Sequence, residues 1–208
     1  MEAGNPQSDT KRTLILFVKN KETGRVKTRL AKTIGDEKAM VVYQALIDHT
    51  KSILDPLPVH KVVYYSKQIP LRDQFPISLY DKEIQPQGDL GQKMAHAFQT
   101  QFRLGAKQVM IIGSDCPELT TEILEQGLQL LKEKDVVLGP AKDGGYYFLG
   151  MNSFHPQLFE NKAWSTADVL LDTILDLDKA TLTYHLLPTL GDVDYEEDLT
   201  DELRKLIQ

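Results

Sequence analysis

Four cationic side chains lie close together directly after a short apolar run near the start of the chain. The run covers residues 13–18 and predicts a buried strand. The cations surround one glycine, Gly24, and are Lys19, Arg25, Lys27 and Arg29. Arginine offers a planar fork to phosphate oxygens, and lysine offers a point charge. A solvated basic loop is the alternative interpretation, but the position after a buried strand favours a site for a small anionic ligand.

Carboxylates follow two later apolar runs. Asp115 comes directly after the run 108–112, and Asp143 precedes the pair Gly144-Gly145. A hard cation such as Mg²⁺ or Mn²⁺ takes one or two carboxylates together with phosphate oxygens and water. The sequence therefore predicts a metal at Asp115 and Asp143. Asp115 could instead cap the next turn, and Asp143-Gly144 could form a tight hairpin that makes one strand antiparallel.

Two further segments carry polar side chains for which the sequence allows more than one role. Asp192 and Asp194 follow the last predicted strand, and they either complete a metal site or cap the final helix. Trp164-Ser165-Thr166 precedes a predicted helix, so a hydroxyl could cap that helix and its N–H groups could hold an anion. Core packing is the alternative role for the tryptophan.

The elements that position these groups alternate between strands and helices. Strands are predicted at 13–18, 61–65, 108–112, 135–138, 146–149 and 181–186. Helices are predicted at 36–54, 90–104, after Thr120 or Thr121, at 167–175 and at 196–206. This alternation predicts an α/β fold whose mostly parallel sheet is covered on both faces, with ligands bound at the carboxyl ends of the strands. We expect a flexible N-terminus over 1–12 and a single domain over 13–208.

Composition limits the function classes. The formal net charge is −6, which disfavours nucleic acid as a partner. One cysteine, Cys116, excludes an intramolecular disulfide, and Asp115 beside it disfavours a reactive thiolate. The sequence has neither an apolar run long enough to cross a bilayer nor a signal-peptide core near its start, so we expect a soluble cytoplasmic protein with no membrane partner.

Taken together, six ordered segments resemble a bacterial family of glycosyltransferases, also described as radical-SAM/selenodomain-associated transferases. That family is similar to the 2-phospholactate and molybdenum-cofactor guanylyltransferases, which share the GT-A, or nucleotide-diphospho-sugar transferase, fold. The resemblance implies a three-layer α/β/α sandwich with a mixed sheet. The segments are Gly24-Arg25-Val26-Lys27-Thr28-Arg29-Leu30, Gly88-Asp89-Leu90-Gly91, Gly113-Ser114-Asp115-Cys116-Pro117, Gly139-Pro140 with Asp143-Gly144-Gly145-Tyr146-Tyr147, Trp164-Ser165-Thr166, and Asp192-Val193-Asp194 with Glu197-Asp198-Leu199.

The resemblance also implies roles for individual residues. Arg25, Lys27, Arg29 and Asp115 would act on the transferring group. Nucleotide binding would fall to Lys19, Gly24, Gln85, Gly88, Asp89 and Ser114. Acceptor binding would fall to Gly144, Gly145, Tyr146, Trp164, Ser165 and Thr166. Pro117 stands where many glycosyltransferases of this fold carry the second aspartate of a D-x-D signature, so the second metal ligand stays open.

These patterns predict a transferase that uses Mg²⁺ or Mn²⁺ and a nucleotide diphosphate-containing donor. The donor is either a nucleoside triphosphate or a nucleotide-sugar, and the small-molecule acceptor stays open. A non-catalytic nucleotide-binding regulatory or accessory module is the alternative. The oligomeric state is open, with a homodimer as one option.

Overall fold

The computed structural model describes residues 9–208. Seven strands are present: β1 (Asp9–Val18), β2 (Val59–Tyr65), β3 (Asp81–Ile84), β4 (Gln108–Ile112), β5 (Val136–Pro140), β6 (Tyr146–Met151) and β7 (Tyr184–Leu186). The α-helices are α1 (Thr28–Ile34), α2 (Asp36–Leu54), α3 (Leu90–Arg103), α4 (Thr121–Leu130), α5 (Val169–Lys179) and α6 (Asp201–Leu206). Short 3₁₀ helices cover Pro156–Phe159 and Glu196–Asp198.

The strands form one sheet in the order β3-β2-β1-β4-β6-β5-β7. All neighbouring strands are parallel except at β6, which is antiparallel to both β4 and β5. The predicted mostly parallel mixed sheet is therefore confirmed. The hairpin at Asp143-Gly144 is also confirmed, and it supplies the one reversed strand.

Helices cover both faces of the sheet, as predicted. Side chains alternate along β1, so Leu14 and Leu16 enter one apolar cluster with residues of α2 and α4. Ile15 enters the other cluster, with residues of α3 and α5. Because β1 is central and buried on both faces, its carboxyl end can deliver a loop to the middle of the sheet edge.

Several elements differ from the sequence prediction. Helix α1 lies inside a segment expected to be loop, because Leu30 is its only buried residue and its apolar pattern is too short to read. Strand β3 lies in another expected loop, because it is a four-residue edge strand with little burial. The expected last helix at 196–206 is split into a 3₁₀ turn and α6.

The N-terminal boundary also differs. The expected flexible segment 1–12 lies partly outside the described residues, and residues 9–12 belong to β1. None of the helices between residues 9 and 208 has the length and apolarity needed to span a bilayer.

Candidate functional site

The basic loop after β1 and the carboxylate after β4 meet at the carboxyl edge of the sheet. Lys27 Nζ lies 3.0 Å from Asp115 Oδ2 and 3.8 Å from Asp194 Oδ1. Arg29 Nη1 lies 2.7 Å from Asp194 Oδ2. We call the set Lys27, Arg29, Asp115, Asp192 and Asp194 the charged half of the site.

The backbone aims Lys27 inward. It is the N-cap of α1 and has left-handed angles, φ 46° and ψ 45°, which L-residues adopt at a cost. Its neighbours Val26 and Leu30 are buried in apolar clusters and fix the local chain. As a result the Lys27 side chain is only 6% exposed, whereas the Asp115 side chain is 44% exposed. The lysine lies beneath a carboxylate that faces solvent.

Asp192, predicted with Asp194 either to complete a metal site or to cap the final helix, lies beside the other acidic residues of the site. Burial, followed by the negative charges of Asp143, Asp115 and Asp194, raises its pKa to about 6. Asp192 is therefore close enough to each of the other three carboxylates to be repelled by it. The Asp192-Val193-Asp194 spacing placed both aspartates in this region, but nothing in the sequence showed that Asp143 and Asp115 would lie near Asp192.

The carboxylates match a divalent cation in chemistry. Oxygen donors suit Mg²⁺ and Mn²⁺, and a cation would relieve the repulsion that raises the pKa of Asp192. Within residues 9–208, however, no three His, Cys, Asp or Glu side chains group closely enough to hold an ion as they stand. Asp143 Oδ1 instead accepts a hydrogen bond from the Gly145 amide at 2.8 Å. The donor set fits a metal, and the predicted assignment to Asp115 and Asp143 stays a proposal.

Two contacts hold the strand ends together beneath these charges. The Tyr43 hydroxyl of α2 accepts from the Lys19 amide at 2.9 Å and donates to the Lys19 carbonyl at 2.8 Å. Burial raises the pKa of Tyr43 to about 12, although hydrogen bonds to Ser114 and Lys19 oppose this. The Val193 amide donates to the Asp115 carbonyl at 3.0 Å. No local pattern in the sequence predicted this bridging role of Tyr43.

A second group of predicted residues packs closely on the far side of the site. A Cβ added to Gly91 would lie 2.2 Å from Trp164 Nε1, and one added to Gly144 would lie 2.0 Å from the Ala167 carbonyl oxygen. The Leu170 amide also donates to the Gly144 carbonyl at 3.0 Å. We call Gly91, Gly144, Trp164 and Ala167 the packed half of the site. Three of the sequence motifs meet there.

The expected helix cap in this region is wrong. The Thr166 hydroxyl donates to the Ala163 carbonyl at 2.8 Å, and Ser165 has φ 65°. Helix α5 begins later, at Val169, with Asp168 as its N-cap and no side-chain cap bond. Ser165 and Thr166 are exposed in the segment before the helix, where their acceptor roles stay predictions.

The residues predicted to contact the base are largely engaged in local structure. Asp89 caps α3: its Oδ1 accepts from the Gln92 amide at 2.8 Å, and Gln92 Oε1 accepts from the Asp89 amide at 3.0 Å. The side-chain amide of Gln85 donates, through Nε2, to the Tyr64 carbonyl at 3.1 Å. Gly88, with φ 127°, makes the turn into the helix. Their base contacts stay predictions.

Other predicted residues lie apart from the charged half. The Arg25 side chain is exposed and makes no hydrogen bond or ion pair within residues 9–208, while Gly24, φ 74°, shapes the turn before it. Lys19 lines a cavity of about 250 Å³ behind the loop. The Tyr146 hydroxyl is buried, which weakens its predicted acceptor role.

The architecture is shared with known proteins. A family model described as an uncharacterised protein conserved in bacteria, DUF2064, matches residues 67–166. A solved structure from Desulfovibrio desulfuricans G20, of a protein provisionally named a nucleotide-diphospho-sugar transferase, is 32% identical with a TM-score of 0.80. That alignment covers 89% of this chain and 83% of the other. No curated protein matches the chain in sequence.

More distant structures share the fold alone. The inositol-1-phosphate CTP transferase from T. maritima is 12% identical with a TM-score of 0.54, over 97% of this chain and 96% of that one. Rv0371c from Mycobacterium tuberculosis H37Rv, in complex with manganese, is 14% identical with a TM-score of 0.50, over 94% and 97%. On the strength of the 32% identical relative, this chain belongs to the nucleotide-diphospho-sugar transferase superfamily, within which its central part matches DUF2064.

Proposed function

We propose that the protein is a divalent-metal-dependent transferase acting on a nucleotide diphosphate-containing donor. The observation that supports this best is the 3.0 Å contact between Lys27 Nζ and Asp115 Oδ2. It brings the loop predicted to bind phosphate and the carboxylate predicted to bind a metal together at the carboxyl edge of the sheet. A loop and a carboxylate that lay far apart would have removed the basis for the proposal.

Positioning and electrostatics carry the mechanism in this proposal. Mg²⁺ or Mn²⁺, held by Asp115 with Asp143 and Asp192 nearby, would neutralise phosphate charge when bound. The chain itself supplies Lys27 and the exposed Arg25 to bind phosphate oxygens. Charge that develops on the leaving phosphate would be stabilised by these two cations, as in phosphoryl transfer generally.

The same site serves two kinds of transfer. An acceptor phosphate that attacks the α-phosphorus of a nucleoside triphosphate gives nucleotidyl transfer, with pyrophosphate as the leaving group. An acceptor that attacks the sugar carbon of a nucleotide-sugar gives glycosyl transfer, with a nucleoside diphosphate leaving. The packed half offers the half-buried Trp164 ring as a wall for the sugar or acceptor in either case.

A non-catalytic nucleotide-binding module is the competing proposal. A purely regulatory module needs a nucleotide pocket but has no use for repelling carboxylates, which cost stability. The carboxylates of Asp115 and of the half-buried Asp192, gathered beside Lys27, therefore favour the enzyme.

Thermal shift and product release test the proposal together. The four nucleoside triphosphates and UDP-glucose are added with and without Mg²⁺ or Mn²⁺, followed by assays for pyrophosphate and nucleoside diphosphate release. We expect metal-dependent stabilisation by one nucleotide, and turnover once an acceptor is supplied. Metal-independent binding without turnover, across all donors and an acceptor library, would support the module instead.

Asp115→Asn is the matching variant. It should abolish the metal-dependent shift, measured from the variant's own basal melting temperature, while leaving the far-UV circular dichroism near that of the wild type. Glu125→Gln, on the exposed face of α4, removes one negative charge away from the cleft and should keep the full shift. An unchanged shift in Asp115→Asn would refute the role of Asp115.

A further inference from the structure

The Lys27 ammonium group lies where a cation bound to Asp115 would also lie. Its Nζ is 3.0 Å from Asp115 Oδ2 and 3.8 Å from Asp194 Oδ1, and the side chain is 6% exposed. Lys27 is therefore shielded from solvent and is paired by carboxylates of two separate segments. A metal and an ammonium group at hydrogen-bond distance from one carboxylate repel each other strongly in a partly buried site.

The charges around it are unequal. Asp192 interacts with Asp115, Asp143 and Asp194, and within the described residues two cations, Lys27 and Arg29, form ion pairs with Asp115 and Asp194. Negative charge is therefore in excess even with Lys27 in place, and the excess grows by one when Lys27 moves away. The cluster can therefore accept a metal if Lys27 gives up its contact with Asp115.

The local chain lets the side chain move while the backbone stays. Val26 and Leu30 are buried at 2% and 0% exposure and anchor the loop on both sides of Lys27. The left-handed backbone of Lys27 is the kind of strained geometry that persists where function requires a particular direction. A flexible four-carbon stem on such an anchor can turn from Asp115 to a phosphate held by the same loop.

We propose that Lys27 is an internal counter-ion that limits metal binding to Asp115 until the phosphates of the nucleotide draw it away. This inference rests on the proposed function. It makes Lys27 the source of coupling between the two ligands: nucleotide strengthens metal binding, and by reciprocity metal strengthens nucleotide binding. The device would disfavour a metal ion bound without its nucleotide.

Mn²⁺ binding measured by electron paramagnetic resonance tests this without any activity assay. Lys27→Met keeps the apolar stem and removes the charge, so it should bind Mn²⁺ alone about 10-fold more tightly than the wild type. Arg29→Met is the matched control: it removes one positive charge that contacts Asp194 but not Asp115. It should change Mn²⁺ affinity by less than about 3-fold. Lys27→Gln is the second variant, should Lys27→Met fold poorly.

The coupling is read from the same titrations repeated with a saturating nucleoside diphosphate, taken as whichever of UDP, GDP and CDP raises the wild-type melting temperature. The nucleotide should tighten Mn²⁺ binding in the wild type and have a much smaller effect in Lys27→Met. Equal Mn²⁺ affinity in wild type and Lys27→Met overturns the counter-ion role, as does an equal gain in Arg29→Met. Absence of Mn²⁺ and nucleotide binding in every protein would overturn the proposed function itself.

Discussion

The two halves of the site are held by opposite means. The charged half is held by ion pairs between segments, with Asp115 still 44% exposed, so ligands can replace its contacts. The packed half is held by backbone and ring atoms that leave no space at Gly91 or Gly144. The difference teaches that one wall of the cleft can respond to a ligand while the other keeps its shape. Substitutions should therefore affect binding in one half and stability in the other.

Gly144→Ala should break the packed half and have the largest effect. Its φ of 89° disfavours any side chain, and the new Cβ would clash with the Ala167 carbonyl oxygen. We expect a loss of about 3 kcal/mol or more in the free energy of unfolding, measured by urea titration. Gly145→Ala is the control, because Gly145 has no positive φ and its nearest contact is the Asp143 side chain at 3.2 Å. Equal losses in both variants would contradict the close packing inferred here.

Asp176→Asn should remove the ion pair with Lys162, which holds the segment just before Trp164 against α5. Lys162 Nζ lies 2.5 Å from Asp176 Oδ2, and the lysine side chain is 1% exposed. Removal of the carboxylate leaves a buried charge without its partner, and we expect a loss of about 2–3 kcal/mol at pH 7. Asp178→Asn, exposed on the same helix, should change stability by less than about 0.5 kcal/mol.

The effect of Asp176→Asn should depend on pH. Burial alone would raise the pKa of Asp176, but hydrogen bonds and charges from Lys162 and Lys179 outweigh it and lower that pKa below its usual range. The ion pair therefore stabilises the fold above the unfolded-state pKa of about 3.9 and loses this contribution as the pH falls through the folded-state value. Unfolding titrations should show the two proteins converging below about pH 4. A difference of the same size at pH 4 and at pH 2 would contradict this account.

Asp192→Asn tests the charged half, and we expect it to raise the stability of the fold by a smaller amount than the preceding substitutions lower it. Because folding raises the pKa of Asp192 to about 6, the folded state loses stability as the pH rises from about 4 to about 6. Neutral asparagine avoids this cost. We expect a gain of about 1–2 kcal/mol at pH 7, reduced by solvent screening, and little change at pH 3.5. Thermal unfolding at the two pH values measures it, and a loss of stability at pH 7 would show that Asp192 is not repelled by its neighbours.

The fold was largely readable from the sequence because its central strands are continuous apolar runs. Those at 13–18, 61–65 and 108–112 appear within β1, β2 and β4, and the Asp143-Gly144 turn correctly indicated the hairpin that reverses β6. Helix α1 and strand β3 were not readable, because a single buried residue or an exposed edge leaves no periodic pattern.

The site was readable in part. The position of the basic loop after β1 and of Asp115 after β4 predicted that they would meet, and Lys27 confirms this proximity. The burial of Asp192 and the bridging by Tyr43 depend on how distant segments pack, which one sequence does not encode in any local pattern. The left-handed backbone of Lys27 was equally hidden, because lysine carries no preference for that conformation.

The ion pair between Arg29 and Asp194 joins residues 165 positions apart in the chain. The neighbouring Val193 amide also bonds to a distant residue, the Asp115 carbonyl. During synthesis the ribosome releases the basic loop long before it releases the segment around Val193, at roughly 5–20 residues per second. The nascent chain can pair its early strands before the segment around Val193 is available to complete the site. Ligand binding should therefore begin only after the region around residue 194 has left the exit tunnel.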